Sequence, residues 1–248
     1  GVAFFDARLA GEMAHAALKE LLSRMGASGP IRREGLEAYR GLVEPSIGAV
    51  LPDFETREGP FLKPMFDAYR PLLVDRLERL VRALAEDPGW EAGELEVAFE
   101  EAYAGLGFSL EGRIDRLARR RRDDGSYAHA IVDYKKKNVP AKRELVVDEE
   151  GGLGDYQIPA YVRLAEGAGR AVERASYWSI ERAAGLDVVG PGALKTREAY
   201  GSELAAFDKA AAAAAAGLSA GRFEPAAATS PACDGCPWKS VCRTHYAT

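Results

Sequence analysis

The chain has 248 residues, 47% hydrophobic and 29% charged, which excludes disorder and supports one large domain with a buried core. It holds no apolar run long enough to span a bilayer, and its opening residues alternate apolar and charged types with no apolar core of a signal peptide, so no secretory leader is expected in it. The net charge of −5 argues against wholesale nucleic-acid binding, but Arg113–Arg143 holds 11 Lys/Arg against 4 Asp, a local +7 that leaves −12 elsewhere.

The chain opens on Gly as if already inside a structural element, so it reads as a fragment of a longer protein. Leu9, Met13, Ala16, Ala17, Leu21 and Leu22 recur at helical spacing and predict a helix over 7–25. Further helical pieces fill 30–90, the clearest at 67–86, with expected breaks at Pro45, Pro52, Gly59-Pro60, Pro64 and Asp87–Gly89. They carry no motif and read as a helical insertion or cap over about 27–89.

Three strands follow, at 94–103, 107–120 and 126–137, joined by tight links at Ala104–Leu106 and Asp123–Gly125. A Gly- and acid-rich loop at 148–155 reads either as a cover for a single strand or as a connector. A helix over 156–166, a strand over 172–180 and an Ala-rich helix over 199–217 complete the order, and an irregular tail starts at Gly221. The order predicts an α/β domain with a mixed sheet.

Strand alternation puts Phe108, Leu110, Gly112 and Ile114 on one face and Asp115 on the other, while Asp133 and Lys135 share a face. If the second and third strands pair, Asp115 and Asp133 meet at one end of the sheet. Two carboxylates there repel unless a cation such as Mg²⁺ sits between them. A neighbouring lysine then orients a water for attack on a phosphate. Asp-X-Lys alone also fits an ordinary exposed strand.

The flanking residues add weight. Gly112-Arg113-Ile114-Asp115-Arg116, Ile131-Val132-Asp133-Tyr134-Lys135, and Gln157 with Tyr161 resemble the PD-(D/E)XK nuclease superfamily, in the branch related to the RecB and AddB nuclease domains. The resemblance implies a restriction-endonuclease-like core: a central mixed sheet flanked by helices. It also implies metal-binding Asp115 and Asp133, a metal contact from the main-chain carbonyl of Tyr134, and catalytic Lys135. Gln157 and Tyr161, four apart on one helical face, are implied to touch substrate. His15, in Gly11-Glu12-Met13-Ala14-His15, matches a histidine of that branch, and its nitrogen suits Mn²⁺ as well as Mg²⁺. Glu12 is a secondary candidate, and Glu96 and Glu100 are left outside the set.

Cys233, Cys236 and Cys242 form an odd terminal cluster, a poor disulfide framework that favours a metal role and a cytosolic setting. The tail resembles the iron–sulfur staple of AddB-type nucleases, in which a fourth Cys precedes the first helix. This sequence lacks that Cys, so a [4Fe–4S] cluster belongs to the intact protein and the site is expected empty in this fragment. A Cys₃His zinc site with His245, or three free thiols, are the other readings. Arg113, Arg116, Lys136 and Lys137 are expected to contact DNA phosphates, as are Lys142 and Arg143, whereas Arg119–Arg122 also fit a solvated turn.

The expectation is therefore a Mg²⁺- or Mn²⁺-dependent deoxyribonuclease domain, an exonuclease of repair or recombination, with DNA and a helicase subunit as partners and no membrane. The rivals are a catalytically silent DNA-binding scaffold and a metal-stabilised interaction module.

Overall fold

Asp6 starts the first helix, α1 (Ala7–Gly26): its carboxylate accepts the Leu9 N–H at 2.8 Å, satisfying one of the free donors of the first turn. Leu9, Met13, Leu18, Leu21, Leu22 and Met25 are all essentially inaccessible to solvent. Each such side chain contributes roughly 1.5–3 kcal/mol of transfer free energy. The computed structural model describes residues 6–26, 29–59, 62–87, 89–102 and 108–222.

A 3₁₀ turn (Arg33–Gly35) leads into α2 (Leu36–Gly41), α3 (Val43–Glu58) and α4 (Lys63–Ala85). Pro45 and Pro52 were expected to interrupt this region, yet both lie inside α3. Pro45 falls in the first turn, where a helix has no acceptor for its N–H, and Pro52 forfeits one bond in a helix anchored by buried Ile47, Leu51 and Phe54. These helices share one continuous core with α1 and with Val132, Tyr134, Trp178 and Ile180 of the sheet.

The sheet runs in the order β1 (Glu91–Ala102), β2 (Ser109–Arg121), β3 (Tyr127–Lys135), β4 (Val172–Ser179), β5 (Ala184–Val189). All pairs are antiparallel except β3–β4, which is parallel and bridged by the crossover helix α5 (Gln157–Gly167). The turn at Asp123–Gly125 forms as expected, with Gly125 at φ 84°. The link expected at 104–106 lies outside the described residues, as do Cys233, Cys236, Cys242 and His245. Helix α6 (Gly201–Ser219) lies beside α5, giving the sheet helices on both faces. Among the described residues no helix is long and apolar enough to cross a membrane.

Two irregularities shape the β1–β2 ribbon. A bulge between Glu91 and Glu94 turns on Gly93 (φ 75°), where an added Cβ would lie 2.0 Å from the Leu117 carbonyl oxygen. The second is a change of facing. Leu95 packs with the α1–α4 core, whereas Val97, two residues on, packs with the core under α5. On β2, Ile114 and Leu117 are three apart and both join the α5 core. Regular alternation forbids either pattern. The slip in β1 coincides with Glu96, held in the left-handed region at φ 52°. The pairs Leu95–Arg116 and Val97–Ile114 set Glu96 opposite Asp115.

Candidate active site

Strand β3 divides the site between the two faces of the sheet. Ile131 joins the α5 core and Val132 the α1 core; Asp133 and Lys135 continue on the α5 side and Tyr134 on the α1 side.

On the α5 side the amide of Gln157 is shared by three partners. Its Oε1 accepts from Lys135 Nζ at 2.7 Å, and its Nε2 donates to Asp133 Oδ1 at 2.7 Å and to the Tyr161 hydroxyl at 2.8 Å. Gln157 holds this position because its own N–H donates to Asp155 Oδ1 at 3.0 Å, which also accepts the Tyr177 hydroxyl at 2.7 Å. Asp155 is a positioning residue that the sequence reading placed in a loop without a role. Gly112 brings β2 close beneath α5: an added Cβ would stand 2.6 Å from Leu164 Cδ1 and 3.5 Å from Tyr161 Cε1.

Asp133 is 2% exposed. Lys135 Nζ lies 2.8 Å from its Oδ2 but off the direction a hydrogen bond needs, so Oδ2 is buried with no hydrogen-bond donor among the described residues. Burial pushes the Asp133 carboxyl up to about 7; Lys135 opposes that rise and the Asp115 charge adds to it. Burial likewise raises the Tyr161 hydroxyl.

On the α1 side His15 Nδ1 lies 3.8 Å from Asp115 Oδ2, which also accepts the Tyr134 N–H at 2.8 Å. Glu96 completes the group: one ligand atom from each of His15, Glu96 and Asp115 falls within 4.8 Å of the others. Glu96, left outside the set with Glu100, is brought to the group by the facing slip in β1. The structure thus brings His15 and Asp115 together with Glu96, and joins Asp133 to Lys135, Gln157 and Tyr161. The two groups meet at the Tyr134 peptide, whose N–H serves Asp115; its side chain is buried, and the phenol accepts from Arg116 at 3.3 Å.

One imidazole nitrogen and two carboxylates suit Mn²⁺ or Mg²⁺, and the buried Asp133 Oδ2, faced by the Lys135 ammonium at 2.8 Å, makes no well-aligned hydrogen bond among the described residues. The residues therefore fit a divalent cation.

The expected DNA-contacting cations divide differently. Arg113 is exposed, 3.8 Å from Glu96 Oε2, and Lys137 is exposed. Lys136 Nζ donates to the Ala7 carbonyl at 3.2 Å, tying the end of β3 to α1. Arg116 requires correction. It is 3% exposed, and its guanidinium donates to the carbonyls of Ala92 at 3.0 Å and Glu91 at 3.2 Å, so it serves the β1 bulge and cannot reach a phosphate. Arg119, Arg120 and Arg122 are paired with Glu91 and Glu173.

Glu12, the secondary candidate, is bridged by Arg8 and Arg57, linking α1 to α3. A family model described as the PD-(D/E)XK nuclease superfamily matches residues 4–243. No curated protein matches the chain.

Proposed function

This chain belongs to the PD-(D/E)XK nuclease superfamily, and from that premise we propose that it is a Mg²⁺- or Mn²⁺-dependent deoxyribonuclease that hydrolyses phosphodiester bonds directly. The observation that carries the proposal is the convergence of His15, Glu96 and Asp115 beside the Asp133–Lys135–Gln157 network, joined through the Tyr134 peptide. His15, Glu96, Asp115 and Asp133, with the Tyr134 carbonyl, would hold the cation. Bound there, it supplies electrostatic stabilisation for the charge that develops on the phosphate.

The protein's own groups do the rest. Lys135 Nζ orients the attacking water; the new bond from its oxygen to phosphorus forms as the bond to the sugar oxygen breaks, the water gives up a proton to solvent and the departing oxygen takes one up, with no covalent enzyme intermediate. Gln157 fixes Lys135 and Asp133 in mutual register, and Tyr161 braces that amide from below. Arg113, Lys136 and Lys137 offer charge to neighbouring phosphates.

The resemblance of the Asp115 and Asp133–Lys135 strands to the RecB/AddB branch supports an end-directed exonuclease of repair or recombination, working with a helicase subunit or domain in the cytoplasm. It also supports an iron–sulfur role for Cys233, Cys236 and Cys242 in the intact protein, where metal analysis should find about four irons rather than one zinc. Cleavage assays with Mn²⁺ and Mg²⁺ on linear, end-blocked and circular DNA test the reading. Degradation restricted to free ends is expected. Binding without cleavage would make the protein a silent scaffold and overturn the enzyme reading, and the absence of both binding and cleavage would overturn the proposal entirely.

A further inference from the structure

Lys19 stands one helical turn beyond His15 on the same face of α1, and the two line a small cleft with Leu18, Glu96, Asp115 and Tyr134. The cations nearest this cleft already have protein partners, although Arg113 and Lys136, with Lys137, still offer charge to flanking phosphates. Lys135 is engaged by Asp133 and Gln157 on the opposite face of the sheet, Arg113 lies 3.8 Å from Glu96, and Lys136 donates to the Ala7 carbonyl. Lys19 is exposed, and among the described residues it makes no ion pair and no side-chain hydrogen bond. It therefore does not neutralise Glu96 or Asp115, and its ammonium remains available at the cleft's rim.

We propose that Lys19 contacts a backbone phosphate of the strand being cut, next to the scissile one, and so sets the register in which DNA enters the His15–Glu96–Asp115 cleft. The inference rests on the nuclease reading. A cation held by His15, Glu96 and Asp115 would offset their charge at the scissile phosphate, and Lys19, one helical turn farther along α1, is an unpaired cation placed for the phosphate beside it. A contact of this kind carries affinity and register without reading bases.

The test measures binding of a labelled DNA oligonucleotide to the protein in Ca²⁺, with cleavage in Mn²⁺ assayed separately. Lys19→Met should weaken binding about tenfold and make the slope of log affinity against log salt shallower by about one. Lys19→Arg should retain both. A scan with single neutral methylphosphonate linkages should find one position that weakens the wild type but costs Lys19→Met nothing further, which a purely structural role would not produce. If Lys19→Met binds like wild type, or loses affinity at the same methylphosphonate positions as wild type, the inference falls while the nuclease reading stands. A wild-type protein that neither binds nor cuts DNA overturns both.

Discussion

Glu96 comes within reach of His15 and Asp115 because its backbone occupies the left-handed region, which turns β1 over and sets this side chain opposite Asp115. A non-glycine residue held there costs on the order of 1–2 kcal/mol. Glu96→Gly should therefore move two quantities in opposite directions. Thermal stability should rise by about 1 kcal/mol as strain is relieved, less the entropy glycine adds to the unfolded chain. Mn²⁺ affinity by calorimetry should fall roughly tenfold or more, within the range for loss of a supporting carboxylate. A variant that keeps its metal affinity would remove Glu96 from the site.

Gln157 links Lys135 to Asp133 through a single amide. Gln157→Ala should lower kcat by about one to two orders of magnitude, the scale of losing a preorganised polar group, with an unchanged circular dichroism spectrum. Asp155→Ala should reproduce part of that loss without touching Lys135 or Asp133, because the Gln157 N–H and the Tyr177 hydroxyl both depend on Asp155. Unaltered kcat in both variants would show that the network is scaffolding.

The raised Asp133 carboxyl has a definite pH signature. Burial takes it from the ordinary 3.8 to about 7, so the folded metal-free protein keeps a proton that the unfolded chain releases. That contribution to stability is fully present below about 4 and is lost as pH rises through about 7; its size is a few kcal/mol. In metal-free buffer the Tm of wild type should fall relative to Asp133→Asn between pH 4 and pH 8. A constant gap would mean that Asp133 is ionised throughout. Because a cation requires the carboxylate, metal affinity should weaken as pH drops below about 7.

Arg116 supplies a contrasting case. Arg116→Met leaves the Ala92 and Glu91 carbonyls and the Tyr134 hydroxyl without their buried donor, at a cost of about 3 kcal/mol by denaturant unfolding. Any folded protein should show the wild-type salt dependence of DNA binding, since no phosphate contact is lost. A shallower slope would return Arg116 to the DNA surface.

Gly93→Ala should be worse still, because a left-handed backbone and the Leu117 carbonyl 2.0 Å from the new Cβ leave no conformation free of strain. Loss of soluble folded protein, or destabilisation above about 3 kcal/mol, is expected. Near-wild-type stability would mean that the bulge can be rebuilt.

What the sequence revealed follows the same physics. Asp133 and Lys135 lie in a regular strand, so alternation alone put them on one face; Gln157 and Tyr161 came from the resemblance, and helical spacing put them on one face of α5. Glu96 and Arg116 could not be read that way. One depends on a left-handed residue and the other on a bulge, and neither leaves a periodic trace. Strand β5 was missed because Ala184–Val189 is a short edge segment with Gly185 and Asp187 inside it and little alternation. Pro52 misled because a buried helix tolerates one lost bond that an isolated helix would not.

The division of duties along β3 leaves this strand almost no freedom to change length. A one-residue deletion anywhere in Tyr127–Val132 would rotate Lys135 into the α1 layer and aim a tyrosine ring at Gln157. A single codon lost between Tyr127 and Val132 would leave a protein with all its polar site groups, each facing the wrong neighbour.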